Sequence, residues 1–228
     1  MEQQIPLRIG LRDSATFSNF YPGENAAVLH LLEQASESFI YLWGAQGSGR
    51  SHLLQAACHA ETNIGGIPVY LPLQELDDIA ILDGLEQMGL VCLDDLQLVS
   101  GQPDWEEALF HLYNRVREHG GRLLAAANAS PAAIGVNLPD LRSRLSWGPV
   151  FQLQTLDDTG RLAALQLRSK ARGMELADEV GAYLLRHYPR DMHALFDLLE
   201  RLDQASLTAQ RRLTIPFVRT YSKDKIDH

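Results

Sequence analysis

The sequence predicts an α/β fold in which helices cover a five-stranded parallel sheet, followed by a small domain made only of helices. Five short apolar runs alternate with longer helical patterns as far as Gln154, and only helical patterns follow. Apolarity that is continuous rather than alternating is typical of strands buried on both faces, as in parallel sheets. We therefore expect a domain at 16–155, a helical lid domain at 156–228 and a flexible tail at 1–15.

The predicted strands are the apolar runs at 39–43, 67–73, 90–94, 122–128 and 149–154. Helices are predicted between them at about 51–60, 75–88, 104–119 and 139–146. In the C-terminal part, helices are expected to start near 157, 176, 191 and 214, with Asp157, Asp191 and Thr214 as N-caps. The packing face of the third of these helices is predicted from apolar residues at helical spacing, namely Met192, Leu195, Phe196, Leu199 and Leu202.

Composition narrows the possible functions. A chain of 228 residues that is 46% hydrophobic forms a substantial core, and its net charge of −9 argues against nonspecific binding to nucleic acid. Cys58 and Cys92 lie in apolar stretches without metal-ligand spacing, so we expect two buried thiols in a reducing compartment. No apolar run reaches the roughly 18 residues of a membrane span, and no signal peptide is evident. A cytoplasmic protein is expected.

A glycine-rich segment follows the first predicted strand and opens a predicted helix. The stretch "GAQGSGRS" from Gly44 to Ser51 fits the phosphate-loop pattern G-x-x-x-x-G-K-[ST] except that Arg50 replaces lysine. Backbone N–H groups and a helix N-terminus in this context bind phosphate oxygens, and the alternative is a turn without a ligand. The predicted nucleotide-binding residues here are Gly44, Gly47, Ser48, Gly49, Arg50, Ser51 and His52.

An acidic pair ends the third predicted strand. Asp94 would hold Mg²⁺ partly through water, together with the hydroxyl of Ser51, and Asp95 stands where a carboxylate that polarises water belongs. The alternative is two solvated acids at the start of a loop. Arginine keeps the charge of the missing lysine but not its compact shape, so nucleotide binding should survive better than hydrolysis.

Five segments together resemble the AAA+ module of the DnaA family, and most closely its short Hda subfamily. They are "TFSNFYPGENAAVLHLL", "YLWGAQGSGRSHLLQAA", "LVCLDDLQ", "LPDLRSRLSWG" and "LDQASLTAQRRLTIPF". The chain ends too soon after these segments for the DNA-reading helix-turn-helix module of the initiator, so origin binding is disfavoured. The resemblance implies a role in DNA replication, as an inhibitor of initiation.

The resemblance assigns further site residues. "SRLSWG" is similar to the segment that carries the arginine finger, which places Arg144 in that catalytic role in trans; the alternative is an ion pair with Asp140 one turn away. Asn128, at the end of the fourth predicted strand, corresponds to the first sensor of the γ-phosphate. His193 stands where the lid usually carries a sensor arginine, and with Arg50 also unusual a site for ADP follows, ATP remaining possible.

The N-terminal tail contains "QIPLRI", which resembles short motifs that dock on the bacterial sliding clamp, the beta subunit of DNA polymerase III. Gln4, Ile5, Leu7 and Ile9 would then be the clamp-binding residues, and an ordinary N-terminal strand is the alternative.

The function expected from the sequence is an adaptor that acts on DnaA. It would bind ADP and Mg²⁺, dock on the DNA-loaded clamp and stimulate hydrolysis of DnaA-bound ATP. Its contact with DNA would be indirect, through the clamp, and this contact would place it at the nucleoid. It would be a homo-oligomer, without membrane contact and without efficient ATPase activity of its own. An autonomous DnaA-like or helicase-loader-like ATPase is the main alternative, and a small-molecule kinase a more distant one.

Overall fold

The computed structural model describes the backbone of residues 15–226 and the side chains as far as residue 221. Contacts divide the chain into two compact units. The first comprises the described residues as far as Ser18 together with Glu24–Thr155, and the second comprises Asn19–Gly23 together with the chain from Leu156 onward. Within residues 15–226, no helix is both long and apolar enough to cross a membrane.

The first unit contains a five-stranded parallel sheet, which confirms the predicted fold class and all five strands. The strands are β1 (Phe39–Gly44), β2 (Pro68–Pro72), β3 (Leu90–Asp94), β4 (Arg122–Ala127) and β5 (Val150–Leu153), in the spatial order β2-β3-β4-β1-β5. The central strands are buried on both faces as predicted, but β5 is an edge strand and Val150 is exposed. The carboxyl ends of β1, β3 and β4 therefore lie side by side.

Helices of this unit connect and cover the strands. They are α1 (Ala26–Gln34), α2 (Arg50–Asn63), α3 (Pro103–Glu118) and α4 (Pro139–Leu145). The prediction of a helix over 75–88 is wrong, because this stretch forms three short 3₁₀ helices at Leu73–Glu75, Ile79–Leu82 and Leu85–Gln87. Its apolar side chains recur every three residues, the repeat of a 3₁₀ helix rather than of an α-helix. They are Leu73, Leu76, Ile79, Leu82 and Leu85, all within or packed against the core.

A buried carboxylate fixes the start of α4. Glu106, on α3, is 2% exposed. It accepts hydrogen bonds from the backbone N–H groups of Gly101 at 2.7 Å, Asn137 at 3.0 Å and Leu138 at 2.7 Å. Since Leu138 directly precedes α4, one carboxylate holds two loops and the helix that follows the second of them.

The second unit is helical, as predicted. Its helices are α5 (Asp158–Ala171), α6 (Asp178–His187), α7 (Met192–Ala209) and α8 (Ile215–Ile226). The three predicted N-caps are confirmed, because the side chains of Asp157, Asp191 and Thr214 accept from the backbone N–H groups of Gly160, Ala194 and Phe217. The predicted face of α7 is also confirmed, since Leu195, Leu199 and Leu202 are buried in the core of this unit.

Candidate functional site

The loop between β1 and α2 needs its glycines. Gly47 and Gly49 have φ of 78° and 95°, in the left-handed region that other residues rarely adopt. A Cβ on Gly44 would lie 2.6 Å from the carbonyl oxygen of Leu153. The sequence pattern is thus a requirement of the backbone, and the loop runs directly into the N-terminus of the 14-residue helix α2.

Two buried polar atoms of this loop have no protein partner. Within the described part of the chain, neither the hydroxyl of Ser48 nor Nη1 of Arg50 has a hydrogen-bond partner. Leaving such atoms unsatisfied costs about 1–3 kcal/mol each. Oxygen atoms of a phosphate would accept from both, and the helix N-terminus favours the same negative charge. The residues present therefore fit a phosphate group.

Asp94 ends β3 and is 1% exposed. Its Oδ2 accepts a hydrogen bond of 2.7 Å from the hydroxyl of Tyr70, and its Oδ1 accepts one of 3.0 Å from the backbone N–H of Asp95. Burial raises the pKa of Asp94, while hydrogen bonds from Ser51 and Tyr70 oppose the rise. The structure thus brings together Ser51 and Asp94, the two predicted Mg²⁺ ligands. Hydroxyl and carboxylate oxygens are the donors that Mg²⁺ prefers.

Asp95 takes a different position from Asp94. Its backbone is left-handed, with φ of 56°. Its Oδ1 lies 3.6 Å from Nη2 of Arg50 and accepts a hydrogen bond of 2.9 Å from the side-chain amide of Gln97. The amide oxygen of Gln97 accepts in turn from the backbone N–H of Asn128 at 3.1 Å. A continuous chain of polar contacts thus joins the phosphate loop to the ends of β3 and β4.

Two other predicted nucleotide-binding residues have protein contacts of their own. A ring nitrogen of His52 lies 2.9 Å from the carbonyl oxygen of Thr16, so this ring connects α2 to the first described segment. His193 belongs to the second unit, where its Nε2 lies 3.7 Å from Oδ2 of Asp197 one turn further along α7. Contact of either histidine with a nucleotide stays a prediction.

Arg144 lies in the last turn of α4, against aromatic rings. Its guanidinium carbon is 4.3 Å from the ring centroid of Trp147 and 5.9 Å from that of Phe110. Among the described residues no carboxylate forms an ion pair with Arg144, so the alternative pairing with Asp140 is not observed. The guanidinium of Arg144 therefore packs on the exposed ring of Trp147 and not against a carboxylate of the described residues.

The remaining predicted residues, Gln4, Ile5, Leu7 and Ile9, lie outside the described residues. Within the described part, no group of three or more His, Cys, Asp or Glu side chains could hold a metal ion. Cys58 and Cys92 are buried free thiols, as predicted.

Three residues of this region were not predicted from the sequence. Tyr70 has the appearance of a core aromatic in an apolar strand, and only the pairing of β2 with β3 brings its hydroxyl to Asp94. Gln97 ends the quoted "LVCLDDLQ" segment beside the acidic pair, but nothing in the sequence indicated its hydrogen bond with Asn128. Trp147 lies inside the quoted "SRLSWG" segment, and its exposure of 55% marks it as a surface aromatic.

Solved structures of the replication initiator DnaA have a similar fold. One is the replication initiator DnaA bound to AMPPCP and single-stranded DNA, which is 24% identical in sequence to this chain. The match covers 87% of this chain and 70% of that one, with a TM-score of 0.69. AMPPCP-bound DnaA from Aquifex aeolicus is also 24% identical to this chain. That match covers 84% of this chain and 66% of the Aquifex aeolicus chain, with a TM-score of 0.70. Domain III of Thermotoga maritima DnaA is 18% identical in sequence. The match covers 93% of this chain and 97% of that domain, with a TM-score of 0.75.

The β2-β3-β4-β1-β5 sheet, the glycine-rich loop at the end of β1 and the helical second unit define a P-loop protein of the AAA+ class. Two family models match the sequence, the bacterial DnaA ATPase domain over residues 73–152 and the Hda lid domain over residues 158–221. The chain belongs to the DnaA/Hda family of AAA+ proteins, which acts in DNA replication. The first match begins after the phosphate loop, so the loop is identified by its own pattern and geometry.

Proposed function

We propose that this chain inactivates the initiator DnaA by stimulating hydrolysis of DnaA-bound ATP, and so prevents repeated initiation. The observation that carries the proposal is the state of Arg144, a guanidinium without a carboxylate partner among the described residues, held on the aromatic surface of Phe110 and Trp147. Delivered into the nucleotide site of a neighbouring subunit, such a group offsets the charge that develops on the transferred phosphoryl group. Membership of the DnaA/Hda family supports DnaA as that neighbour.

The chain's own nucleotide site would serve binding rather than turnover. Gly47, Gly49 and the N-terminus of α2 would surround the phosphates, with Ser48 and Arg50 donating to their oxygens. Ser51 and Asp94 would hold Mg²⁺, which offsets phosphate charge when bound. The ion pair with Arg50 would engage Asp95, the carboxylate that an efficient ATPase would use to polarise water. We infer that ADP is the resident nucleotide, and binding of AMPPCP by related DnaA proteins supports a nucleotide at this loop.

Docking on the DNA-loaded sliding clamp through Gln4, Ile5, Leu7 and Ile9 completes the proposal. Tethering to the clamp would raise the local concentration of Arg144 where replication has started, and no direct DNA contact is then required. Assembly with further copies of the chain, and residence in the cytoplasm at the nucleoid, belong to the same proposal.

Single-turnover hydrolysis of ATP preloaded on DnaA, with DNA-loaded clamp present, tests the proposal. Arg144→Ala should eliminate stimulation, an effect on the order of 10³-fold or more if the finger is complete, and Arg144→Lys should restore little because lysine lacks the planar fork. Arg142→Ala is the matched control, since Arg142 is an exposed arginine on the same helix. Full stimulation by Arg144→Ala would remove the residue from the reaction and favour an autonomous ATPase instead.

A further inference from the structure

The indole ring of Trp147 contacts two arginines from different helices. The guanidinium carbon of Arg144, on α4, lies over the ring at 4.3 Å from the centroid, and that of Arg117, on α3, lies over it at 4.5 Å. Within the described part of the chain, neither guanidinium has an acidic partner. The ring of Trp147 therefore makes cation–π contacts with two arginines.

The charges of the two arginines also act on one common side chain, that of Tyr113 on α3. Burial raises the pKa of Tyr113 to about 12, and the positive charges of Arg144 and Arg117 both act against this rise. The hydroxyl of Tyr113 is buried and has no hydrogen-bond partner among the described residues. Both guanidinium groups thus act on the same small region between α3 and α4.

The two like charges repel each other, and the negative faces of the indole that both of them contact offset that repulsion. The backbone also contributes, because the N–H of Trp147 donates to the carbonyl oxygen of Arg144 at 3.1 Å. The contact of Arg117 with the ring consequently ties the end of α4 to α3. Without it, the indole and the guanidinium of Arg144 would have more conformations to lose when a partner binds.

We propose that Arg117 is a positioning residue that acts through Trp147 to hold Arg144 in the orientation from which it reaches a phosphoryl group on another subunit. The proposal rests on the proposed function, because it concerns the same finger. Arg117 itself touches neither nucleotide nor reacting atoms. Its contribution is the preorganisation of the finger, so its loss should lower the rate at saturating partner rather than abolish it.

The first test is the stimulated single-turnover rate with the adaptor chain saturating. Arg117→Ala should lower this rate about 2- to 5-fold, the factor expected from one exposed cation–π contact. Arg117→Lys keeps a cation over the ring and should restore at least half of the loss. Arg142→Ala should have no effect. An unchanged rate for Arg117→Ala, or no rescue by lysine, would overturn the proposal.

A double-mutant cycle tests whether Arg117 acts through Trp147. Trp147→Ala removes the ring that both arginines contact, so adding Arg117→Ala to it should cause no further loss. Losses that multiply in the double variant would show that Arg117 acts independently and would overturn the proposal. Acrylamide quenching of tryptophan fluorescence reports the contact without DnaA, and Arg117→Ala should increase it.

These outcomes separate the inference from the proposed function. If Arg144→Ala abolishes stimulation and Arg117→Ala does not change it, only the positioning role fails. If the wild-type chain does not stimulate hydrolysis on DnaA at all, the proposed function fails, whatever the quenching experiment shows about the contact of Arg117 with Trp147.

Discussion

The guanidinium of Arg50 and the carboxylate of Asp95 form an ion pair of 3.6 Å, with the two side chains only 11% and 23% exposed. The basic residue of the phosphate loop is thus shared with an acid of the neighbouring strand end. A phosphate must compete with Asp95 for Arg50. On the proposed function, we expect this arrangement to favour retention of a nucleotide over its hydrolysis.

We expect ADP to bind at least as tightly as ATP, because Arg50 and His193 stand at the positions where the family usually carries the lysine and arginine that distinguish the two nucleotides. Isothermal titration calorimetry of the nucleotide-free chain with each nucleotide and Mg²⁺ measures this. A strong preference for ATP, combined with rapid turnover by the chain alone, would contradict the prediction.

Asp95→Asn should tighten ADP binding by roughly 5-fold, since an ion pair worth about 1 kcal/mol no longer competes for Arg50. The same calorimetric titration measures the change. Asp77→Asn, which removes an exposed acid from the same unit, controls for the change in net charge. Equal tightening by both variants would show that only long-range charge matters.

Asp94→Asn should change the pH dependence of stability in the nucleotide-free chain. Burial raises the pKa of Asp94 above its value in the unfolded chain, so the folded chain binds more protons between the two values. Stability of the wild type should therefore be lost as pH rises from about 4 through this interval, by about 1.4 kcal/mol per pH unit at most. Asp94→Asn lacks this loss.

Thermal unfolding between pH 4 and pH 8 checks this expectation. The difference between variant and wild type should grow in favour of the variant as pH rises and then become constant. Parallel curves over the whole range would mean that the pKa of Asp94 is the same in folded and unfolded chains.

Glu106→Gln should destabilise the first unit by about 2–4 kcal/mol. The Glu106 carboxylate now accepts hydrogen bonds from three backbone N–H groups. Glutamine would turn an NH₂ group, itself a donor, toward some of these N–H groups, which would then be buried without an acceptor. Urea denaturation measures the loss. Glu107→Gln, at the adjacent exposed position of α3, should change stability by less than about 0.5 kcal/mol, and equal effects would refute the anchoring role of Glu106.

Gln4→Ala combined with Leu7→Ala should abolish binding to the sliding clamp and leave the unfolding transition unchanged. Truncating anchor side chains at a small interface commonly costs about 2 kcal/mol or more each. Fluorescence titration with labelled clamp measures binding. Undiminished affinity would locate the clamp contact elsewhere in the chain.

The sheet could be predicted because each strand is encoded locally. Runs such as "LVCL" are continuously apolar, as is typical of a strand that is buried on both faces. The 75–88 segment was not predictable with the same rule, since leucines three residues apart also satisfy half of an α-helical pattern. Asp78 and Gly84, which bound two of the 3₁₀ helices, were the available signals.

The candidate site could be predicted where one segment carries the chemistry, as in the phosphate loop. It was missed where the chemistry depends on strand pairing. The hydroxyl of Tyr70 reaches Asp94 across 24 positions, and Gln97 reaches the backbone of Asn128 across 31. Neither contact leaves a periodic or compositional trace in a single sequence.

The left-handed backbone of Asp95 restricts how this position can evolve. Besides aspartate, glycine and asparagine adopt such a conformation most readily, and both are neutral. Sequence drift that respects the fold would thus tend to remove the carboxylate and free Arg50, whereas a change to glutamate would strain the turn. A single codon change can therefore remove the carboxylate at this place without disturbing the architecture around it.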